Sequence, residues 1–187
     1  MAELRHSAVV RVTHWITALC FAALLLSGVE ILISHPRFYW GETGNASSPA
    51  LFQIPIPASR AKVQTGYGFV LPDQNGWSRY LHFQSAWVVV FTGILYYVHG
   101  LVKGRFRREG YNRLQRATYR FVVFVLFPLM IWTGLAMSPA IASVFPAVVT
   151  VLGGQQSART IHFFLMLLLV VFVTGHVIMA IRTRRII

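Results

Sequence analysis

The chain is poor in acid, in cysteine and in charge generally. Of its 187 residues 12% are charged, five are Asp or Glu, and one, Cys20, is a cysteine. A lone cysteine excludes an internal disulfide framework, a thiolate zinc site and an iron–sulfur cluster carried by this chain. No C-x-x-C-H run occurs, so any haem would be held without a covalent tether. Cys20 itself lies in an apolar run and reads as a small buried hydrophobe. The shortage of acid leaves a formal net charge of +12. That excess does not point to nucleic acid, because the basic residues gather at the ends of apolar runs and in one connection. Soluble domains carry about 25% charged residues. Here 56% of residues are hydrophobic, so the expectation is an integral membrane protein built as one bundle over residues 1–187, without internal repeats.

Four apolar stretches are long enough to cross a bilayer as helices. They are expected at about residues 9–33, 80–102, 118–138 and 159–182, with a long connection over 34–79. The first is too long, and lacks the small-residue cleavage site, to read as a signal peptide. Between the third and fourth, IASVFPAVVTVLGG is apolar but broken by Pro146 and Gly153-Gly154. It reads as a short interfacial helix or re-entrant turn. The fold class is therefore all-α, a four-transmembrane-helix bundle with one long outer loop. Twelve basic residues fall on the side of both termini and five on the other. By the positive-inside rule the termini face the cytoplasm and the 34–79 loop lies outside. That loop is rich in aromatic residues, Pro and Gly, and reads as an ordered cap that meets an extramembrane partner.

The fourth stretch carries His162 and His176, fourteen residues apart. On a helix they stand roughly 21 Å apart along the axis and within ~40° of one face. Ionisable side chains at membrane depth are costly and mark function by default. Two imidazoles at two depths suggest two metal centres, and haem iron accepts axial histidine while filling the space between helices. Depth matching then pairs His82 with His162 near the outer side and His14 with His176 near the inner side. His99 is seventeen residues after His82, ~100° off its face. It reads first as an interfacial histidine, with a quinone or propionate contact or a competing iron ligand as the alternatives. His6 and His35 lie outside the spans and read as solvated. Gly28 and Gly93 fall on the histidine faces at the depths of the outer and inner haem, where a missing side chain would admit a flat macrocycle. Gly134 and Gly175 suit the same purpose. Arg79 and Arg159 suit the propionates of an outer haem, Arg11 and Arg120 those of an inner one.

With RVTHWITALCFAALLLSG in the first stretch, YLHFQSAW opening the second, GYNRLQRATY before the third and the IH/GH pair in the fourth, the sequence resembles bacterial di-haem membrane cytochrome b subunits. These are the nickel–iron hydrogenase, formate dehydrogenase gamma and thiosulfate reductase type, and SHPRFYWGETG looks most like the last branch. The resemblance implies four helices and two non-covalent b haems ligated by His14, His82, His162 and His176. It also implies electron exchange between an extracytoplasmic redox subunit, of molybdopterin or iron–sulfur type, and the quinone pool. By similarity the quinone contacts would be His176 and Asn112. Two other readings fit the same stretches. One is a stand-alone quinone-linked oxidase of a small extracellular donor such as superoxide, with Arg60, Lys62 and Arg79 steering an anion. The other is a haem-free membrane anchor.

Overall fold

Four helices long and apolar enough to span a membrane dominate the described residues of this computed structural model, which are 7–45, 47–55, 76–103 and 113–182. Helix α1, Ala8–Ser34, starts on Ser7, whose hydroxyl accepts from the Val10 amide. It stops at His35 because the next residue is Pro36, and the residue before a proline is pushed out of helical geometry. Strands β1, Arg37–Phe38, and β2, Phe52–Gln53, pair antiparallel within the outer connection. Helix α2 is Trp77–Val102. Helix α3 runs as one span over Arg113–Ala136. Two short helices follow, α4, Pro139–Val144, and α5, Ala147–Thr150. Helix α6, Gln155–Arg182, completes the chain's described part.

Two spans begin four or more residues earlier than hydropathy suggests. Helix α3 starts five residues before the expected 118, in the polar RLQRATYRF segment, which hydropathy discounts although its backbone is helical. Helix α6 starts four residues before 159, because the outer loop supplies caps for its first amides. The interrupted stretch before α6 forms the two short helices α4 and α5, in place of a fifth span.

Helix α3 contains one widened turn. Over Val122–Leu126 the bonding switches to a π-turn, and the Phe127 amide bonds Val122 O. The cause is Pro128: it has no amide proton, and its ring would collide with the carbonyl four residues back in a regular helix. An inserted residue relieves both problems.

Packing is inverted relative to a soluble bundle. In α1 the buried residues are Thr13, Ser27 and Ser34, with Ser27 at 0% exposure and Leu19 at 71%. Small hydroxyl residues let helices approach, while large apolar side chains face the lipid. Close helix approach is concentrated in two hairpins, α1 with α2 and α3 with α6. Val122, Leu126, Leu165 and Leu169 form an apolar core between α3 and α6, and Phe21 of α1 leans onto it.

Candidate functional site

Four histidines converge in two pairs across the gap between the hairpins. The rings of His82 on α2 and His162 on α6 have centroids 6.3 Å apart and planes tilted by 58°. His14 on α1 and His176 on α6 are 6.1 Å apart and tilted by 55°. These are the pairs expected from depth matching. Along α6 the pairs are separated by roughly 21 Å, and the Val122–Leu126–Leu165–Leu169 core lies between the two levels.

Each outer histidine is held by a neighbouring helix of its own hairpin. Ser27 Oγ lies 3.0 Å from His82 Nδ1 and 2.7 Å from Ala23 O. Thr133 Oγ1 lies 2.9 Å from His162 Nδ1 and 2.9 Å from Leu129 O. A hydroxyl has one proton to donate. Both hydroxyls donate it to the carbonyl four residues back, and so accept from the ring Nδ1–H. That leaves Nε2 of each ring with its lone pair, the state a metal requires. The residue after each hydroxyl is glycine. A Cβ at Gly28 would sit 3.6 Å from His82 Cε1, and one at Gly134 would sit 3.6 Å from His162 Cε1.

The inner pair has different company. Tyr119 of α3 brings its hydroxyl 3.2 Å from His176 Nδ1, and Phe172 stacks on the His176 ring at 5.9 Å and 19°. Trp15 meets His14 edge-on at 5.6 Å. Gly93 and Gly175 have nothing within 4 Å of the place a Cβ would take.

The remaining candidates fall as follows. His99 Nε2 lies 3.3 Å from Ser7 Oγ, at the cap of α1, and so ties α2 to the start of its neighbour. Asn112 lies outside the described residues, as do His6, Arg60 and Lys62. Arg11 and Arg79 are exposed side chains in the first turns of α1 and α2, and Arg120 is exposed two turns into α3. Arg159 donates to His35 O, bonds Gln156 Oε1 at 3.3 Å and lies 5.0 Å over the Phe38 ring. His35 is not the solvated residue expected: it is half-buried beyond the end of α1. Burial, with Arg159 and then Arg79 adding repulsion, keeps its pKa below the ordinary value.

The outer loop closes over this end. Gly41 N–H donates to Ser157 Oγ at 2.8 Å, while Gly41 O accepts from the Gln156 and Ser157 amides. Glu42 Oε2 accepts from the Gln155 amide at 3.3 Å. The free amides at the start of α6 are thereby satisfied, with an acid placed against the positive helix end. Thr160 Oγ1 donates to Tyr39 O at 2.7 Å, and Phe38 stacks on Phe52 and packs on Phe163, next to His162. This close approach requires Gly154, φ +114°, since a Cβ there would lie 2.4 Å from the Gly41 backbone. Sequence reasoning missed Ser27, Thr133 and Tyr119. The available signal was the recurring hydroxyl–glycine dipeptide, Ser27-Gly28, Thr92-Gly93, Thr133-Gly134 and Thr174-Gly175, one in each span.

Each level offers two imidazoles, and no group of three or more His, Cys, Asp or Glu that could hold a metal occurs among the described residues. Such a site suits a metal that brings its own equatorial ligands. Two metal–nitrogen bonds of about 2 Å, with ~1 Å more from each nitrogen to its ring centre, require centroids about 6 Å apart. Both pairs meet that requirement, so the residues present fit haem.

A family model described as prokaryotic cytochrome b561 matches residues 5–187. The chain is 27% identical to "Putative protein-methionine-sulfoxide reductase subunit YedZ1" of Azospira oryzae, over 93% of this chain and 88% of that protein. It is 28% identical to "Probable Ni/Fe-hydrogenase B-type cytochrome subunit" of Cupriavidus necator, over 92% of this chain and 59% of that protein. It is also 28% identical to "Putative cytochrome YdhU" of Escherichia coli, over 91% of this chain and 65% of that protein. The last two relatives are thus considerably longer than the part this chain spans. With four spans, histidine pairs that fit haem and a family match over nearly its whole length, the chain belongs to the prokaryotic cytochrome b561 family and is a multi-pass membrane cytochrome of b type.

Proposed function

We propose that the protein is the membrane-anchoring subunit that carries electrons through two b haems, between an extracytoplasmic redox subunit and the quinone pool. The observation that supports this best is the stacking of two histidine pairs at two depths, each with the ring separation one shared iron needs. His82 and His162 would hold the outer haem, His14 and His176 the inner one. Haem, when bound, would supply one-electron oxidation and reduction, and both histidines of each pair would be engaged in holding it. The chain does the rest. Ser27 and Thr133 keep Nε2 of the outer ligands unprotonated, and the apolar layer around Leu165 and Leu169 keeps water out between the two levels. Arg79 and Arg159 are the proposed partners of the outer propionates, Arg11 and Arg120 of the inner ones.

The bias of basic residues supports a cytoplasmic position for both termini. The His82–His162 end then faces the extracytoplasmic partner and the His176 end faces the quinone, with His99 and Asn112 as further candidate contacts. The docked loop around Phe38, Tyr39 and Gly41 forms a preformed surface for that partner. Relatives named as hydrogenase or reductase subunits support a redox partner.

The test is a reduced-minus-oxidised spectrum with a pyridine haemochrome count on the detergent-purified chain. Two b haems per chain are expected, and a colourless or single-haem protein would overturn the reading. Mild-detergent purification from the native membrane should bring down a larger redox subunit. Full donor-oxidising activity in the chain alone would favour the stand-alone oxidase instead.

A further inference from the structure

We infer that Ser27-Gly28 and Thr133-Gly134 form a matched pair of clips that set the tautomer and basicity of His82 and His162, and so tune the outer centre separately from the inner one. This rests on the haem reading above and goes beyond it, since it assigns roles to residues that touch no iron.

The two clips agree atom for atom. In each, a hydroxyl on the neighbouring helix accepts from Nδ1, at 3.0 Å for His82 and 2.9 Å for His162. In each, the following glycine lies against Cε1, at 3.6 Å from where its Cβ would be. In each, the hydroxyl proton is spent on a helix carbonyl, at 2.7 Å to Ala23 O and 2.9 Å to Leu129 O. Ser27 and Thr133 are both fully buried. A buried hydroxyl whose proton already points at a carbonyl is a better acceptor, because hydrogen bonds in a chain polarise one another. An imidazole donating Nδ1–H to such an acceptor gains electron density at Nε2 and becomes a more basic ligand. More basic ligation favours the ferric state and lowers the reduction potential. The glycines contribute by closeness: a branched side chain at either position would push the ring off the line that the hydroxyl fixes.

The clips come from both hairpins, Ser27 on α1 gripping α2 and Thr133 on α3 gripping α6. The outer ligands are therefore each referenced to a partner helix inside a hairpin, and the two hairpins can be set independently. The inner ligand His176 meets a phenol, Tyr119, in place of an aliphatic hydroxyl.

The experiment is a redox titration of purified Ser27→Ala, Thr133→Val and the double variant, with haem counted in each and the ferric low-spin signals recorded by electron paramagnetic resonance. Both haems are retained, the potential of one rises in each single variant and further in the double, and the other stays fixed. The shifting haem is the one missing from His162→Ala. Ser27→Thr and Thr133→Ser, which keep the hydroxyl, restore the parent potential and signal. If a deletion variant loses its haem, these conservative variants decide: recovery of the parent potential upholds the clips, and loss equal to the deletion overturns them. Two haems whose potentials and signals ignore both deletions overturn the clips while leaving the parent reading intact. A parent protein lacking two b haems overturns both.

Discussion

The outer and inner histidine pairs have nearly the same ring separation, 6.3 and 6.1 Å, yet they are built from different materials. The outer pair is fixed by short hydroxyl side chains anchored on helix backbone, with glycine against each ring and a docked loop beyond. The inner pair is surrounded by rings: Trp15, Tyr119 and Phe172. That contrast would suit the proposed roles of the two ends, the one toward a protein partner and the other toward quinone.

The sharpest way to break the comparison is to delete a ligand from each level. His162→Ala should remove the outer haem and leave the inner, while His176→Ala should do the reverse, halving the haemochrome count in each case. Loss of the same haem in both would contradict the pairing by depth. A smaller effect is expected from the loop. Gly154→Ala puts a Cβ 2.4 Å from the Gly41 backbone at a φ of +114°; strain of this kind costs about 1–3 kcal/mol. The melting temperature in detergent should fall, and partner binding should weaken more than haem content. An equivalent change at Gly93, with nothing within 4 Å of its Cβ position, should leave the loop untouched.

Tyr119→Phe tests the inner side. It removes the hydroxyl 3.2 Å from His176 Nδ1 and should move only the inner potential, by less than the Ser27 and Thr133 variants move the outer one. The smallest effect is a pH dependence from His35. Its folded pKa is lowered from 6.5 by burial and by Arg159 and Arg79. The unfolded chain therefore takes up a proton first as pH falls. Stability contributed by neutral His35 is full above about pH 6.5, declines below it, and is lost once pH passes the folded value. Melting curves of His35→Gln should lack that decline.

Most of the architecture is legible in the sequence. The four charge-poor runs imposed the spans, and the 162–176 spacing with antiparallel order imposed which histidines share a level. What stayed hidden depends on contacts between distant segments. Ser27 and Thr133 back-bond within their own helices, a habit common to serine and threonine anywhere in a helix. Their second contact, to a ring on another helix, leaves no periodic trace. Gly41 capping α6 joins segments more than a hundred residues apart, so loop composition could announce order there but not its address. Basic residues at the start of α3 likewise concealed about one and a half helical turns from a hydropathy argument.

The π-turn in α3 carries a consequence for both levels at once. Tyr119 and Thr133 stand on opposite sides of it, and they address His176 and His162 on α6. The extra residue acts like a dislocation in a screw thread, advancing the outer half of the rod by a fraction of a revolution against the inner half. Ironing out that fault, for instance by replacing Pro128, would let one of the two hydroxyls keep its ring while the other swung away. The proline thus serves as the timing mark that keeps two distant ligands in phase.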